Sequence, residues 1–221
     1  MSWEQDAQLV LTQIAHSLGF PCIIKPHDDG CSVLVSRAHS VEELEAALDA
    51  LFQAGKQYAL IEEFIQGMEL TIGVIGNDNP YALPPSQAVA AEGILSLVEK
   101  FLPGAGQNIT PAPLPIDALA LAQKTVITAY TAVGCSGYAR IDCFYQDANQ
   151  SPTGTPRTVV LEINSLPALT PATCLFHQAA EIGMKPMEFM DSIVQLGFEK
   201  DRYHSLQNEL SHSLHTEDTY V

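Results

Sequence analysis

Positive charge is scarce in this sequence. Its 221 residues hold 10 Lys and Arg against 26 Asp and Glu, a formal net charge of −16 at pH 7. A partner gripped through its phosphate backbone needs a basic surface, so nucleic acid is excluded as a ligand class. Single anionic groups remain compatible where a few cations converge or a divalent metal bridges the acids. Long apolar runs are missing too, since none approaches the roughly 20 residues that a membrane-spanning helix needs. The start, MSWEQDAQ, is acidic where a signal peptide would be basic. The five cysteines, Cys22, Cys31, Cys135, Cys143 and Cys174, contain no C-x-x-C pair and are odd in number. That argues against a disulfide framework or a zinc site and for a reducing compartment. The expectation is a cytoplasmic protein with no membrane partner. Gly and Pro, 14 of each, are scattered, and no internal repeat is visible.

What the chain does have is clear periodicity. Leu9, Val10, Ile14 and Leu18 repeat at helical spacing and stop at Gly19. FPCIIKPHDDGCSVLVSRA places two short apolar runs around a polar loop containing Gly30, the pattern of a hairpin. Ser40 and Glu43 form a capping-box pattern before Val41, Leu44, Ala47, Leu48 and Leu51, and Gly55 stands at the expected C-terminal cap. YALIEEF and QGMELTIGVIG read as strands, with a turn at Asn77 to Pro80. Pro84 to Pro115 reads as loops around a short apolar piece. A long helix is expected from Ile116, then strands GYARIDCFY and RTVVLEI, then helices around HQAAEIG and PMEFMDSIVQLGF. The segment from Asp201 has too little apolar content to bury itself and is expected to be a mobile tail. Strands joined by hairpins and interleaved with helices indicate an α+β fold.

The stretch LEINSLPALTP carries the chemistry. In a strand, Glu162 and Asn164 share a face, as do Arg140 and Asp142 in GYARIDCFY. A half-buried strand with a wet face produces the same alternation. If the two strands pair, however, Asp142 sits beside Glu162 and Asn164. Two carboxylates about 4 Å apart repel by about 4 kcal/mol at an effective dielectric near 20, and a cation resolves this. Two carboxylates and an amide oxygen are hard ligands suited to Mg²⁺. Arg140 would then stand where it can stabilise charge on a transferring phosphoryl group. Lys25, followed by a loop whose Gly30 lets backbone N–H groups approach an anion, suits the phosphates of a nucleotide.

IIKPHDDGCSV, LIEEFIQGMEL, ARIDCFY and LEINSLPALTP, in that order, resemble the central and C-terminal parts of the D-alanine–D-alanine ligases of the ATP-grasp superfamily. The resemblance runs from about Leu9 to Phe198. It implies an ATP-grasp fold of two α+β subdomains, residues 1–69 and 70–200, with ATP bound between them and a polar tail at 201–221. It implies Lys25 and Lys100 on the ATP phosphates and a lid loop with Cys31 and Ser32. Glu62, Glu63 and Ile65 would contact adenine, Glu69 the ribose, and Phe144 and Leu161 the faces of the base. Asp142, Glu162 and Asn164 would bind two Mg²⁺ ions, or Mn²⁺ in their place. Ala168 and Thr173 would face the amino-acid substrate, and Arg140 would stabilise the acyl phosphate and the tetrahedral intermediate. The implied activity is phosphorylation of one D-alanine carboxylate by ATP and attack by the amine of a second, a step of cell-wall precursor synthesis. The alternative is a nucleotide-binding pseudoenzyme or the subunit of a split ligase.

The sequence also departs from the family. Its N-terminal domain has no counterpart here, so a homodimer or a separate chain supplying that domain is implied as partner. Cys31 stands where a lid serine is usual and is the weaker hydrogen-bond donor, a cost on the order of 1 kcal/mol for that contact. Phe101 follows Lys100 in place of a tyrosine whose hydroxyl would reach the lid. Ala168 replaces glycine in the LPG turn, which would restrain the backbone if φ were positive there.

Overall fold

The computed structural model describes residues 3, 5–30, 32–89, 107–170 and 173–200. The expectations for Cys31, Lys100, Phe101 and the tail at 201–221 concern residues outside these. By contact density the chain divides into two compact units. One comprises the residues up to Gln66; Gly67–Ala88 and the residues from Asn108 form the other, so the division precedes Glu69 by a few residues.

The first unit holds helix α1 (Ala7–Ser17), strands β1 (Cys22–Pro26) and β2 (Ser36–Ala38), helix α2 (Val41–Gln53) and strand β3 (Ala59–Glu63). The strands form an antiparallel sheet in the order β2-β1-β3. Alternation along CIIKP buries Cys22 and Ile24 against Leu44, Leu48 and Leu51 of α2 and Leu11 of α1. Each such aliphatic side chain contributes about 1.5–3 kcal/mol on burial. The capping pattern is present, with the return bond made one residue before the N-cap Ser40. Ser40 Oγ accepts from the N–H of Glu43, and Glu43 Oε2 accepts from the N–H of His39 at 2.7 Å. Gly55 ends α2 at φ +84°, a conformation that a side chain would strain.

The second unit is built on one sheet, antiparallel where β4 meets β5, β6 and β8 and where β8 meets β9. Its strands are β4 (Met68–Ile75), β5 (Tyr81–Ala82), β6 (Ser86–Val89), β7 (Gln107–Ile109), β8 (Tyr138–Gln146) and β9 (Arg157–Asn164). The order is β7-β6-β4-β8-β9, with β5 also on β4. β6 and β7 correct the reading of Pro84–Pro115 as loops. They are short strands at the sheet's margin, too short for their alternation to stand out in the sequence.

Helix α3 (Ile116–Ala132) packs on one face of this sheet. Its Ala118, Ala122, Val126 and Tyr130 meet Leu70, Ile72 and Val74 of β4 and Ile141 and Cys143 of β8. The opposite face receives helix α4 (Cys174–Glu181) and a helix at 186–200, α5, whose Phe189 is fully buried with Ile75 and Leu83. Pro186 opens α5, where its missing N–H has no helical acceptor to lose. Among the described residues no helix is long and apolar enough to cross a membrane.

Tyr130 is the largest fully buried side chain among the described residues, and its hydroxyl donates to the Gly76 carbonyl at 2.8 Å. Burial pushes its pKa from 10.0 up to about 12. A raised phenol pKa means that the folded state holds its proton longer than the unfolded one. Its contribution is therefore complete below pH 10 and falls as pH rises toward 12. Tyr130→Phe is expected to cost about 1 kcal/mol at pH 8 through the lost hydrogen bond. At pH 11 wild type should have lost about that amount, so urea unfolding should show the two proteins converging. Parallel curves at the two pH values would refute this.

Candidate functional site

The first unit brings Lys25 and Glu62 together. They lie on neighbouring strands, in a register that pairs Ile23 with Glu62 and Lys25 with Leu60. Lys25 Nζ therefore reaches diagonally to Glu62 Oε2 at 2.6 Å. Ile65 is buried just beyond β3, while Glu63 is exposed. In the loop after β1, Ser32 and Leu34 adopt φ of +59° and +58°, a left-handed conformation that is costly for side-chain-bearing residues. The start of that loop is tied down by Lys56, whose Nζ is 2.6 Å from Asp29 Oδ1. The hydrogen bond to Asp29 raises the Lys56 pKa.

In the second unit, the register of β8 against β9 places Arg140 opposite Asn164 and Asp142 opposite Glu162. The pairing that the sequence left conditional is thus present, and all four side chains belong to one face, the face opposite α3. A β-bulge between Asp142 and Cys143 shifts the register, pairing Cys143 with Val160 and leaving Leu161 as the extra residue. β4 lies on the other side of β8, with Glu69 opposite Phe144 and Thr71 opposite Asp142.

The carboxylates are held by cationic and neutral donors. Arg140 approaches Asp142 with two nitrogens, Nε to Oδ1 at 3.1 Å and Nη2 to Oδ2 at 2.8 Å, and its Nη2 is 3.7 Å from Glu162 Oε1. The Thr71 hydroxyl donates to Asp142 Oδ1. Asn164 donates its amide nitrogen to Glu162 Oε1 at 3.0 Å. The Asp142 side chain is 19 % exposed, that of Glu162 57 %. Burial pushes the Asp142 carboxyl above its usual range, outweighing the pull of Arg140 and of the Thr71 hydroxyl. The cluster therefore has room for further positive charge. Its oxygens are hard donors of the kind Mg²⁺ takes, and rotation of the Asn164 amide would present its oxygen.

Beyond β9 the chain turns through Leu166, which is 82 % exposed, and exposed Ala168. Ala168 is not among the described residues with positive φ, so its methyl is tolerated without backbone strain. The Thr173 hydroxyl donates to the Thr170 carbonyl at 2.8 Å rather than capping α4. Two residues of this neighbourhood escaped the sequence reading. Thr71 is a polar residue within the apolar part of β4, a signal open to notice. Gln178, fully buried beneath β4, shows its place only through contacts remote in sequence.

Arg140→Met is expected to leave two facing carboxylates without their guanidinium. Buried pairs broken on one side lose about 3–5 kcal/mol, and discounting for partial exposure gives about 1–3 kcal/mol here. Urea unfolding at pH 7 measures this, and millimolar Mg²⁺ should restore part of it. A stability equal to wild type would show that the carboxylates are not coupled.

Comparison with known proteins follows the same lines. The family model described as D-ala D-ala ligase C-terminus matches residues 1–195. The D-alanine–D-alanine ligase of Chlorobaculum parvum is 30% identical over 195 residues, 88% of this chain and 52% of that protein. The VanG D-Ala:D-Ser ligase of Enterococcus faecalis is similar in structure, with a TM-score of 0.72 and 26% identity over 86% of this chain and 53% of that one. The D-alanine–D-alanine ligase of Bacillus anthracis, solved in complex with ATP, has a TM-score of 0.67 and 25% identity over 86% of this chain and 56% of that one. This chain thus spans about half the length of the relatives it matches. Its two α+β units have the ATP-grasp fold of these neighbours. By its ordered motifs, its fold and the family match, the chain belongs to the D-alanine–D-alanine ligase family, within the region described as the C-terminus.

Proposed function

We propose that this chain carries the nucleotide- and metal-binding machinery of an ATP-dependent D-alanine–D-alanine-type ligase, acting in the cytoplasm on cell-wall precursors. The observation that carries the reading is the shared face of Arg140, Asp142, Glu162 and Asn164, fixed by the register of β8 and β9. The family match and the relatives named ligases support it. So does the ATP bound by the Bacillus anthracis enzyme.

In this reading Lys25 holds the ATP phosphates, and Glu62 orients its ammonium beforehand at 2.6 Å. Lys100 reaches the same phosphates, and Cys31 and Ser32 belong to the loop that covers them. Glu62, Glu63 and Ile65 meet the adenine and Glu69 the ribose, with Phe144 and Leu161 against the base. Asp142, Glu162 and Asn164 hold Mg²⁺, whose chemistry when bound is to neutralise phosphate charge. Arg140 turns its guanidinium to the oxygens of the acyl phosphate, where a planar fork of donors matches the charge that develops. Phe101, Ala168 and Thr173 line the amino-acid end. A free carboxylate is a poor electrophile, and phosphorylation supplies the leaving group that the second D-alanine's amine displaces.

The test is D-alanine-dependent release of ADP with Mg²⁺, with the dipeptide identified by mass spectrometry. Glu162→Gln, which removes one charged ligand at nearly constant shape, is expected to reduce turnover to background. Unchanged turnover in that variant would sink the assignment of Glu162. ATP binding without dipeptide would instead identify a nucleotide-binding subunit that requires a partner chain.

A further inference from the structure

A gap in the sheet next to the carboxylate cluster is closed by a side chain rather than a strand. β4 pairs with β6 through Leu70 opposite Gln87 and Thr71 opposite Ser86. It pairs with β5 only from Val74 opposite Ala82. Between these two ladders the Thr71 carbonyl and the Gly73 N–H need partners, because buried backbone polar groups left unpaired are costly. Gln178 of α4 supplies both. Its Oε1 accepts from the Gly73 N–H at 2.8 Å, and its Nε2 donates to the Thr71 carbonyl at 2.8 Å and to Ser86 Oγ at 2.9 Å. The amide acts as a one-residue strand, fully buried, with both N–H donors and its carbonyl oxygen engaged.

Side chains of α4 pass close to Gly73. A Cβ there would lie 2.5 Å from Leu175 Cδ2 and 3.1 Å from Gln178 Oε1. Thr71 is therefore held from below through its carbonyl, and its hydroxyl donates to Asp142 Oδ1. The path from Gln178 to the carboxylate is short: amide, Thr71 backbone, Thr71 hydroxyl, Asp142.

We infer that Gln178 is a positioning residue for the metal-binding carboxylate, acting through Thr71 to set the place and orientation of Asp142. The inference rests on the proposed nucleotide and Mg²⁺ site. Outer-shell partners of metal ligands commonly change metal affinity by about 10–100-fold when removed. Gln178 stands one residue further out, so the lower end of that range is expected.

The experiment uses the full chain and follows its thermal unfolding midpoint. Titrating Mg²⁺ at fixed ATP gives the metal concentration for half-maximal protection, and titrating ATP in EDTA gives the metal-free response. Gln178→Met keeps the side chain's bulk but loses all three hydrogen bonds. It is expected to raise the Mg²⁺ requirement about 10-fold while leaving the response in EDTA unchanged. In a Thr71→Val background, where the connecting hydroxyl is gone, the same substitution is expected to add no more than the about twofold scatter of unrelated sites. A purely structural residue would shift both titrations and add in full. A wild-type Mg²⁺ requirement in Gln178→Met, or full additivity with Thr71→Val, overturns the inference. Should Gln178→Met fail to fold, Ser86→Ala removes one partner of the amide and spares the backbone bonds. A smaller rise of the same sign then supports the inference and an unchanged requirement overturns it. A wild-type chain with no Mg²⁺-dependent protection by ATP refutes the nucleotide site itself, and the positioning role falls with it.

Discussion

Two carboxylates facing each other across adjacent strands form the constraint around which the second unit is arranged. Asp142 and Glu162 are register partners, so their repulsion cannot be relieved by sliding one strand without turning every side chain of that strand to the other face. Donors must therefore come to them. Arg140 does so from two residues earlier on the same face, Asn164 from the strand end, and Thr71 from the neighbouring strand. Asp142 is the more buried of the pair and takes most of these contacts. Even so, burial leaves its carboxyl pKa raised. A divalent cation is the natural complement of such a cluster, since it adds charge without adding bulk.

The same constraint divides the helices around the sheet. α3 covers the face on which Leu70, Ile72, Val74, Ile141 and Cys143 are fully buried, and that face makes the main core. The opposite face must hold polar groups at one end while still burying Ile75 and Leu83 at the other. α4 and α5 cover only that second end. At the transition stands Gln178, which both closes a break in the strand ladder and borders the apolar contacts of Leu175 and Phe189. Gly73 leaves space there, since a methyl group would crowd the side-chain ends of Leu175 and Leu83. Cys143 and Cys174, whose thiols burial pushes up to about 12 and about 11, behave as small apolar fillers in this packing.

The first unit solves a smaller problem. Its three strands need one apolar face, supplied against α1 and α2, and their other side leaves Lys25 and Glu62 to pair at 2.6 Å. An ammonium already oriented by a carboxylate loses little freedom when an anion arrives, the usual advantage of preorganisation. The loop after β1 shows the opposite economy, with Ser32 and Leu34 held in left-handed conformations that a glycine would adopt without strain.

Much of this was legible from residue order. Helical spacing at Leu44, Leu48 and Leu51, the cap at Ser40 and the stop at Gly55 follow from local chemistry. The alternation of Arg140 with Asp142, and of Glu162 with Asn164, needs no partner to establish that each pair shares a face. Period-two patterning is a property of one strand. What the sequence could not decide was which strands meet and in what register, because pairing joins residues far apart in the chain. The bulge that leaves Leu161 unpaired, the short strands β6 and β7, and the contact of Thr71 with Asp142 all depend on it. Gln178 is the clearest case: in HQAAEIG it is one polar residue on a short helix, and only the gap between two ladders, more than a hundred residues earlier, makes it structural. Local propensity determined the elements and the faces they present. Long-range hydrogen bonding and close packing decided which of those faces came together as a site.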